Sequence, residues 1–93
     1  MVKHIVLYTF KEGVDKKDAV ALIASKLEPL VGVIPGLRHM EIRQAYQGYD
    51  YVLYSEFDSA KALEEYAEHP AHLAAKDCFW HLLDTRCSAD YEL

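Results

Sequence analysis

The chain has 93 residues, of which 52% are hydrophobic and 12% aromatic, and its formal net charge is −5. This composition excludes a disordered chain, while the acidic balance and the lack of an apolar run of ~18 residues argue against nucleic acid or a membrane as partner. We expect one domain over residues 1–93, and since so small a domain buries only roughly 60–65% of its chain surface, association with a second chain is favoured.

The first half of the chain predicts a strand, a helix and a second strand. Residues 2–10 are rich in β-branched and aromatic side chains, and both alternating faces of this strand are largely apolar. Asp15 is the expected N-cap of a helix with apolar residues at helical spacing, and Pro29 either kinks that helix or ends its regular part near Glu28. Residues 37–45 alternate between apolar and polar side chains and predict the second strand.

The second half predicts a helical region between two more strands. Ser59, with Asp58 before it, caps a helix that we expect to break at His69, because a residue that precedes proline disfavours helical angles. Pro70 suits the first position of a new helical segment, in which we expect Trp80 to be a core residue.

The remaining strands complete a recognisable pattern. Residues 50–57 predict a third strand that is the hairpin partner of the second, and residues 84–93 predict a terminal strand. The order is β-α-β-β-α-β, which is the ferredoxin-like α+β pattern of four antiparallel strands with both helices on one sheet face. Since the first and third strands carry large side chains on both faces, we expect a homodimer that packs sheet against sheet.

The densest group of residues with possible chemistry is E-Y-A-E-H-P-A-H at positions 65–72. His69 and His72 lie three positions apart around the helix break, and Tyr66 lies one turn before. In one interpretation the histidines are capping or packing residues. In a second, His72 or His69 is a general base or orients a ligand, with Tyr66 as hydrogen-bond donor. A metal site is the weakest interpretation, because no third ligand has suitable spacing.

Other ring side chains could share such a site. His4 lies on an apolar strand face, where it is either a hydrogen-bonded core residue or a second catalytic candidate. Tyr8, Tyr51, Tyr54 and Tyr66 either line a cavity for an apolar, partly aromatic ligand or simply pack within the sheet. The chain contains none of the common short enzyme motifs.

The two cysteines and the N-terminal stretch indicate the cellular compartment in which we expect the protein. Cys78 and Cys87 have neither CxxC nor metal-type spacing, and charged residues interrupt the first apolar stretch, so no signal peptide is predicted. We therefore expect a cytoplasmic protein with two free, partly buried thiols. A disulfide or a reactive thiol is the alternative.

Five segments together resemble the stress-responsive A/B barrel domain (Dabb) family. They are V-K-H-I-V-L-Y-T-F-K-E-G at the start, I-P-G at 34–36, Y-D-Y-V-L-Y-S-E-F at 49–57, the 65–72 segment and D-Y-E at 90–92. The resemblance covers nearly the whole chain. It implies a dimeric α+β barrel in which the sheets of two ferredoxin-like subunits join.

The resemblance also implies a site. Most members of the family have no established activity, but one plant member is a cofactor-free cyclase that closes a linear polyketide by aldol condensation. Its catalytic tyrosine and histidine carry over to Tyr66 and His72, and its strand histidine carries over to His4, whereas a further pocket histidine is replaced here by Tyr51.

These correspondences define an expected mechanism without a cofactor or metal. His72 would remove an α-proton from a small apolar carbonyl or aromatic compound, and Tyr66 would hydrogen-bond the enolate. His4 is the third catalytic candidate, and Tyr51, Tyr8 and His69 are expected in the pocket wall. The alternatives are a non-enzymatic stress-response or structural dimer and a cofactor-independent monooxygenase.

Overall fold

In the computed structural model, which covers residues 1–93, a four-stranded antiparallel sheet carries helices on one face. The strands lie in the order β2-β3-β1-β4. The elements in chain order are β1 (Val2–Phe10), α1 (Lys16–Leu27), β2 (Leu37–Gln44), β3 (Tyr51–Phe57), α2 (Ala60–Glu68), α3 (Pro70–Asp77) and β4 (Leu83–Glu92), with 3-10 turns at Glu28–Leu30 and Trp80–Leu82. This is the predicted ferredoxin-like fold, with the second helical region divided in two.

Helix α1 ends before its proline. The Asp15 side chain accepts a hydrogen bond from the Asp18 amide at 3.0 Å, as expected for an N-cap. The regular helix stops at Leu27, and Pro29 lies in the 3-10 turn that follows. Of the two alternatives for Pro29, the structure therefore shows the end of the helix and not a kink within it.

The break between α2 and α3 is at His69, as predicted. Its backbone is extended, with φ −66° and ψ 134°, and Pro70 begins the next helix. The Nδ1 atom of His69 accepts a hydrogen bond from the Ala71 amide at 3.0 Å. His69 is thus the N-cap of α3, and its side chain is committed to the backbone.

The two faces of the sheet differ in how well they are covered. On the helix side, the central strands contribute buried side chains to the core, among them Val6, Leu53 and Phe57. On the other face, apolar side chains of the same strands are only half-buried, because no element of the chain packs over them; they are Ile5, Leu7, Val52 and Tyr54. No helix in the structure has the length and apolar character needed to span a membrane.

Three side chains are more exposed than expected. Trp80 is 48% exposed, because α3 ends at Asp77 and the tryptophan falls in the 3-10 turn beyond it, whereas its neighbour Phe79 is buried. Cys78 and Cys87 are both free and exposed, so the expectation of partly buried thiols was wrong. Cys87 lies on the edge strand β4, on the uncovered face, with its Sγ 3.2 Å from the Tyr49 hydroxyl.

Candidate functional site

A cavity of about 460 Å³ lies between the sheet and the α2–α3 region. Strand β1 contributes His4 and Tyr8 to its wall, α2 contributes Tyr66, α3 contributes His72, and β4 contributes Arg86. Apolar groups, including Leu27, Leu53, Leu63 and Phe79, form much of the remaining wall. The volume is within the usual range of small-molecule sites, which is roughly 300–1,000 Å³.

His72 is half-buried in this wall and is oriented by the backbone. Its Nδ1 lies 3.2 Å from the carbonyl oxygen of Ala67, to which it donates, so that Nε2 carries the free lone pair of the neutral ring. Partial burial lowers the pKa of His72 below its usual value of 6.5, and the positive charge of Lys76 acts in the same direction. At neutral pH the imidazole is therefore unprotonated and able to accept a proton.

Tyr66 packs directly against His72. The two ring centroids are 4.3 Å apart, and the phenol ring also meets Phe57 edge-on at 5.1 Å. The side chain is 4% exposed, and its buried hydroxyl has no hydrogen-bond partner. Burial raises the pKa of Tyr66 far above 10, so this group is a protonated donor over the whole working pH range.

His4 is paired with a residue of the edge strand. Because β1 and β4 are antiparallel with His4 opposite Asp90, the two side chains meet, and Nδ1 of His4 lies 2.5 Å from the Asp90 carboxylate. His4 also contacts the Phe57 ring edge-on. It is thus both a hydrogen-bonded residue and part of the cavity wall, with its orientation fixed by Asp90.

Of the three residues expected in the pocket wall, only Tyr8 lies there. Tyr51 is 0% exposed and does not line the cavity, because the rings of Tyr8 and Phe10 stack against it at 4.6 and 5.1 Å. His69 also lies outside the lining, since it caps α3. Tyr54 is on the opposite face of the sheet, where its hydroxyl donates to Glu56 at 2.6 Å.

The structure adds charged and aromatic residues that sequence reasoning did not place here. Trp80, Lys76, Glu64, Arg86 and Asp90 all line the cavity. The register of β1 with β4 brings Arg86 opposite Tyr8, a pairing that a sequence pattern alone does not define. The D-Y-E segment at 90–92 was the one available signal for Asp90. Nowhere do three or more His, Cys, Asp or Glu side chains converge in a way that could hold a metal ion.

Comparisons with known proteins agree with the fold. Residues 2–93 match the sequence profile described as Stress responsive A/B Barrel Domain. The stress-response A/B barrel domain-containing protein HS1 of Arabidopsis thaliana is 33% identical, with 98% of this chain and 88% of that protein covered. Olivetolic acid cyclase of Cannabis sativa is 25% identical, with 88% of this chain and 89% of the cyclase covered.

Solved structures are similar over the whole chain. A dimeric protein of unknown function with a ferredoxin-like fold from Bacteroides fragilis superposes with a TM-score of 0.89. The two sequences are 31% identical, and the match covers 99% of this chain and 95% of that one.

Proposed function

The chain belongs to the stress-responsive A/B barrel domain family, and we propose that it is a homodimer in which each subunit binds a small apolar carbonyl or aromatic compound and catalyses proton transfer on it without a cofactor. The observation that carries this proposal is that Tyr66 and His72, with ring centroids 4.3 Å apart, line one cavity of about 460 Å³.

The proposed chemistry begins with a proton transfer to His72. The imidazole accepts a proton from a carbon next to the ligand carbonyl, and the electron pair of that C–H bond moves into the enolate. The Tyr66 hydroxyl donates a hydrogen bond to the oxygen on which negative charge develops. If the enolate carbon then attacks a second carbonyl of the same molecule, a C–C bond closes a ring, and the resulting alkoxide takes the proton back from His72.

The buried hydroxyl of Tyr66 supports a carbonyl ligand. A buried donor without an acceptor destabilises a folded protein by roughly 1–3 kcal/mol. Neither the backbone nor any side chain accepts from Tyr66. Since Tyr66 lines the cavity, the proposal takes a ligand carbonyl oxygen as the acceptor that the fold does not supply.

Similarity to olivetolic acid cyclase supports chemistry of this kind, and the resemblance in the 65–72 segment implies Tyr66 and His72 as the catalytic pair. The same resemblance implies a pocket histidine where this chain has Tyr51, and Tyr51 is buried beneath Tyr8. We therefore assign the same type of proton transfer to this chain and a different substrate.

The homodimer is supported by the uncovered sheet face and by a relative. The apolar side chains of Ile5, Leu7 and Val52 are half-buried on that face. The similar Bacteroides fragilis protein is described as dimeric. Packing two such faces together removes this apolar surface from water.

The proposal is tested by hydrogen–deuterium exchange at the α-carbons of 4-phenylbutan-2-one in D₂O, followed by proton NMR. The wild-type protein should accelerate the exchange, and His72→Gln should reduce the acceleration by about 10²-fold or more, since glutamine can donate to Ala67 but cannot act as a base. His39→Gln is the matched control, because His39 is exposed and does not line the cavity.

Two results would contradict the proposal. One is exchange by the wild-type protein at the rate of buffer alone. The other is equal acceleration by His72→Gln and the wild type. If, in addition, neither ketones nor phenols raise the melting temperature, the non-enzymatic structural dimer is the better account.

A further inference from the structure

We propose that the ligand of this cavity is an oxo acid, a ketone with a carboxylate that Arg86 and Lys76 hold at the cavity mouth. The inference rests on the proposed function and names the substrate class of the same site. It is carried by two cations in the cavity wall that have no carboxylate partner in the protein.

Arg86 differs from the other two arginines of the chain. Arg38 makes two hydrogen bonds to Asp58, at 2.6 and 2.8 Å, and Arg43 lies 3.4 Å from a Glu28 carboxylate oxygen. Arg86 has no such contact, although the chain carries five more acidic than basic residues and a net charge of −5. The guanidinium carbon of Arg86 lies 6.0 Å from the centroid of the Tyr8 ring. A guanidinium without a carboxylate partner in a cavity wall is suited to bidentate contact with a ligand carboxylate.

Lys76 is the second cation of the cavity wall without a carboxylate partner. Its Nζ lies 4.1 Å from the centroid of the Trp80 ring, a cation–π contact that leaves its N–H groups available to an anion. Lys76 also follows His72 by four positions on α3, which places both on the same face of the helix about one 5.4 Å turn apart. A carboxylate held at Lys76 therefore brings a ketone a few bonds away within reach of His72.

The carboxylates of the cavity wall do not neutralise Arg86 and Lys76. Asp90 is held by His4 at 2.5 Å. Glu64 is on α2 and is exposed, without an ion pair to either cation. The wall thus combines a half-exposed cationic end near Trp80 with a buried end at Tyr66, which matches a ligand that is anionic at one end and apolar at the other.

Trp80 provides the assay. It is the single tryptophan of the chain and it lines the cavity, so its fluorescence reports on binding. We would titrate the protein with 5-oxohexanoate and with the neutral, nearly isosteric 5-oxohexanamide. The acid should bind at least tenfold more tightly than the amide, and Arg86→Gln should weaken binding of the acid about tenfold while changing binding of the amide less than twofold.

Lys17→Gln is the control for the change in net charge. Lys17 is exposed on α1, has no ion pair and does not line the cavity, so this variant should bind both compounds as the wild type does. Lys76→Gln should also weaken binding of the acid more than binding of the amide. Lys17, Lys76 and Arg86 are all at least partly exposed, so the three variants should fold.

The outcomes separate this inference from the proposed function. Equal affinity for acid and amide, or equal weakening of both by Arg86→Gln, overturns the carboxylate assignment and leaves the proposed proton transfer standing. A wild-type protein that binds neither compound but still exchanges the α-protons of 4-phenylbutan-2-one also overturns the carboxylate assignment and leaves the proposed proton transfer standing. If binding and exchange are both absent, the two proposals fail together.

Discussion

At the scale of single residues, two buried tyrosine hydroxyls stand out. Neither Tyr51 nor Tyr66 has a hydrogen-bond partner for its hydroxyl group. Tyr66 lines the cavity, whereas Tyr51 lies beneath the Tyr8 ring and outside the cavity lining. The proposed function gives a ligand acceptor to Tyr66 but none to Tyr51, so removal of the two hydroxyl groups should have different consequences.

We predict that Tyr51→Phe raises the free energy of unfolding by about 1 kcal/mol, because an unsatisfied buried donor is removed and the ring packing is kept. Tyr66→Phe should have a similar effect on stability but should lower the rate of ketone proton exchange at least tenfold. Urea denaturation and NMR exchange rates measure the two effects. A Tyr66→Phe protein that is less stable than the wild type and exchanges at the wild-type rate would show that the hydroxyl serves the fold.

The sequence allowed part of this site to be predicted. Tyr66 and His72 could be predicted because a local motif and the proline break determine their relative positions. The contribution of Asp90 and Arg86 depends on how β4 pairs with β1, a contact between residues more than 75 positions apart, and no local pattern contains that register. The resemblance placed Tyr51 in the pocket wall, but it did not show that the Tyr8 ring would cover it.

At the scale of elements, helix ends decide where the site residues lie. Pro70 and the His69 cap start α3 at a fixed point, so that the helix carries His72 and Lys76 to the cavity. The prediction for Trp80 was wrong, because helical periodicity was extended past Asp77 although the chain there turns to begin β4 at Leu83. The residues that start α3 are adjacent in sequence and can be recognised there, whereas the end of α3 is set by the strand β4 that follows.

The turn before β2 is fixed against α2 and offers a test of the packing of these elements. Gly36 has a φ of +84°, and a Cβ atom there would lie 2.6 Å from the Cβ of Ala62. Gly36→Ala should therefore lower the free energy of unfolding by about 2–4 kcal/mol, from backbone strain and steric overlap together. Gly13 has nearly the same φ, +87°, in open space, so that Gly13→Ala should lose only about 1 kcal/mol.

Urea denaturation of the two alanine variants isolates the packing contribution. If Gly36→Ala and Gly13→Ala lower the free energy of unfolding equally, the close approach of the turn to α2 does not contribute to stability in solution.

At the scale of the whole molecule, one sheet face determines the expected assembly. Its centre is apolar, with Ile5 and Leu7 half-buried, and charged groups near it are paired, as in the contact between Lys3 and Glu56 at 2.5 Å. That pairing and the Tyr54 hydroxyl hold the pKa of Glu56 below its ordinary value, so the carboxylate stays ionised. An apolar centre beside paired charges is typical of a surface that packs against another chain.

We predict that Leu7→Glu gives a folded monomer, because the substitution places a charge at the centre of this face and leaves the helix-side core intact. Leu73→Glu is the matched control, since Leu73 is 45% exposed on α3, away from the sheet face, and its substitution should leave the dimer unchanged. Sedimentation equilibrium measures both. A wild-type monomer, or a Leu7→Glu dimer as tight as the wild type, would contradict the expected interface.

The most direct test of the central claim, that His72 acts as a base in the cavity of each subunit, is the pH dependence of ketone proton exchange. Because burial lowers the pKa of His72, the wild-type rate should be constant near neutral pH and should fall on acidification through a midpoint below 6.5, where the imidazole becomes protonated. His72→Gln should lack this acid limb and retain only a low residual rate. An acid limb of the same amplitude and midpoint in both proteins would contradict the account.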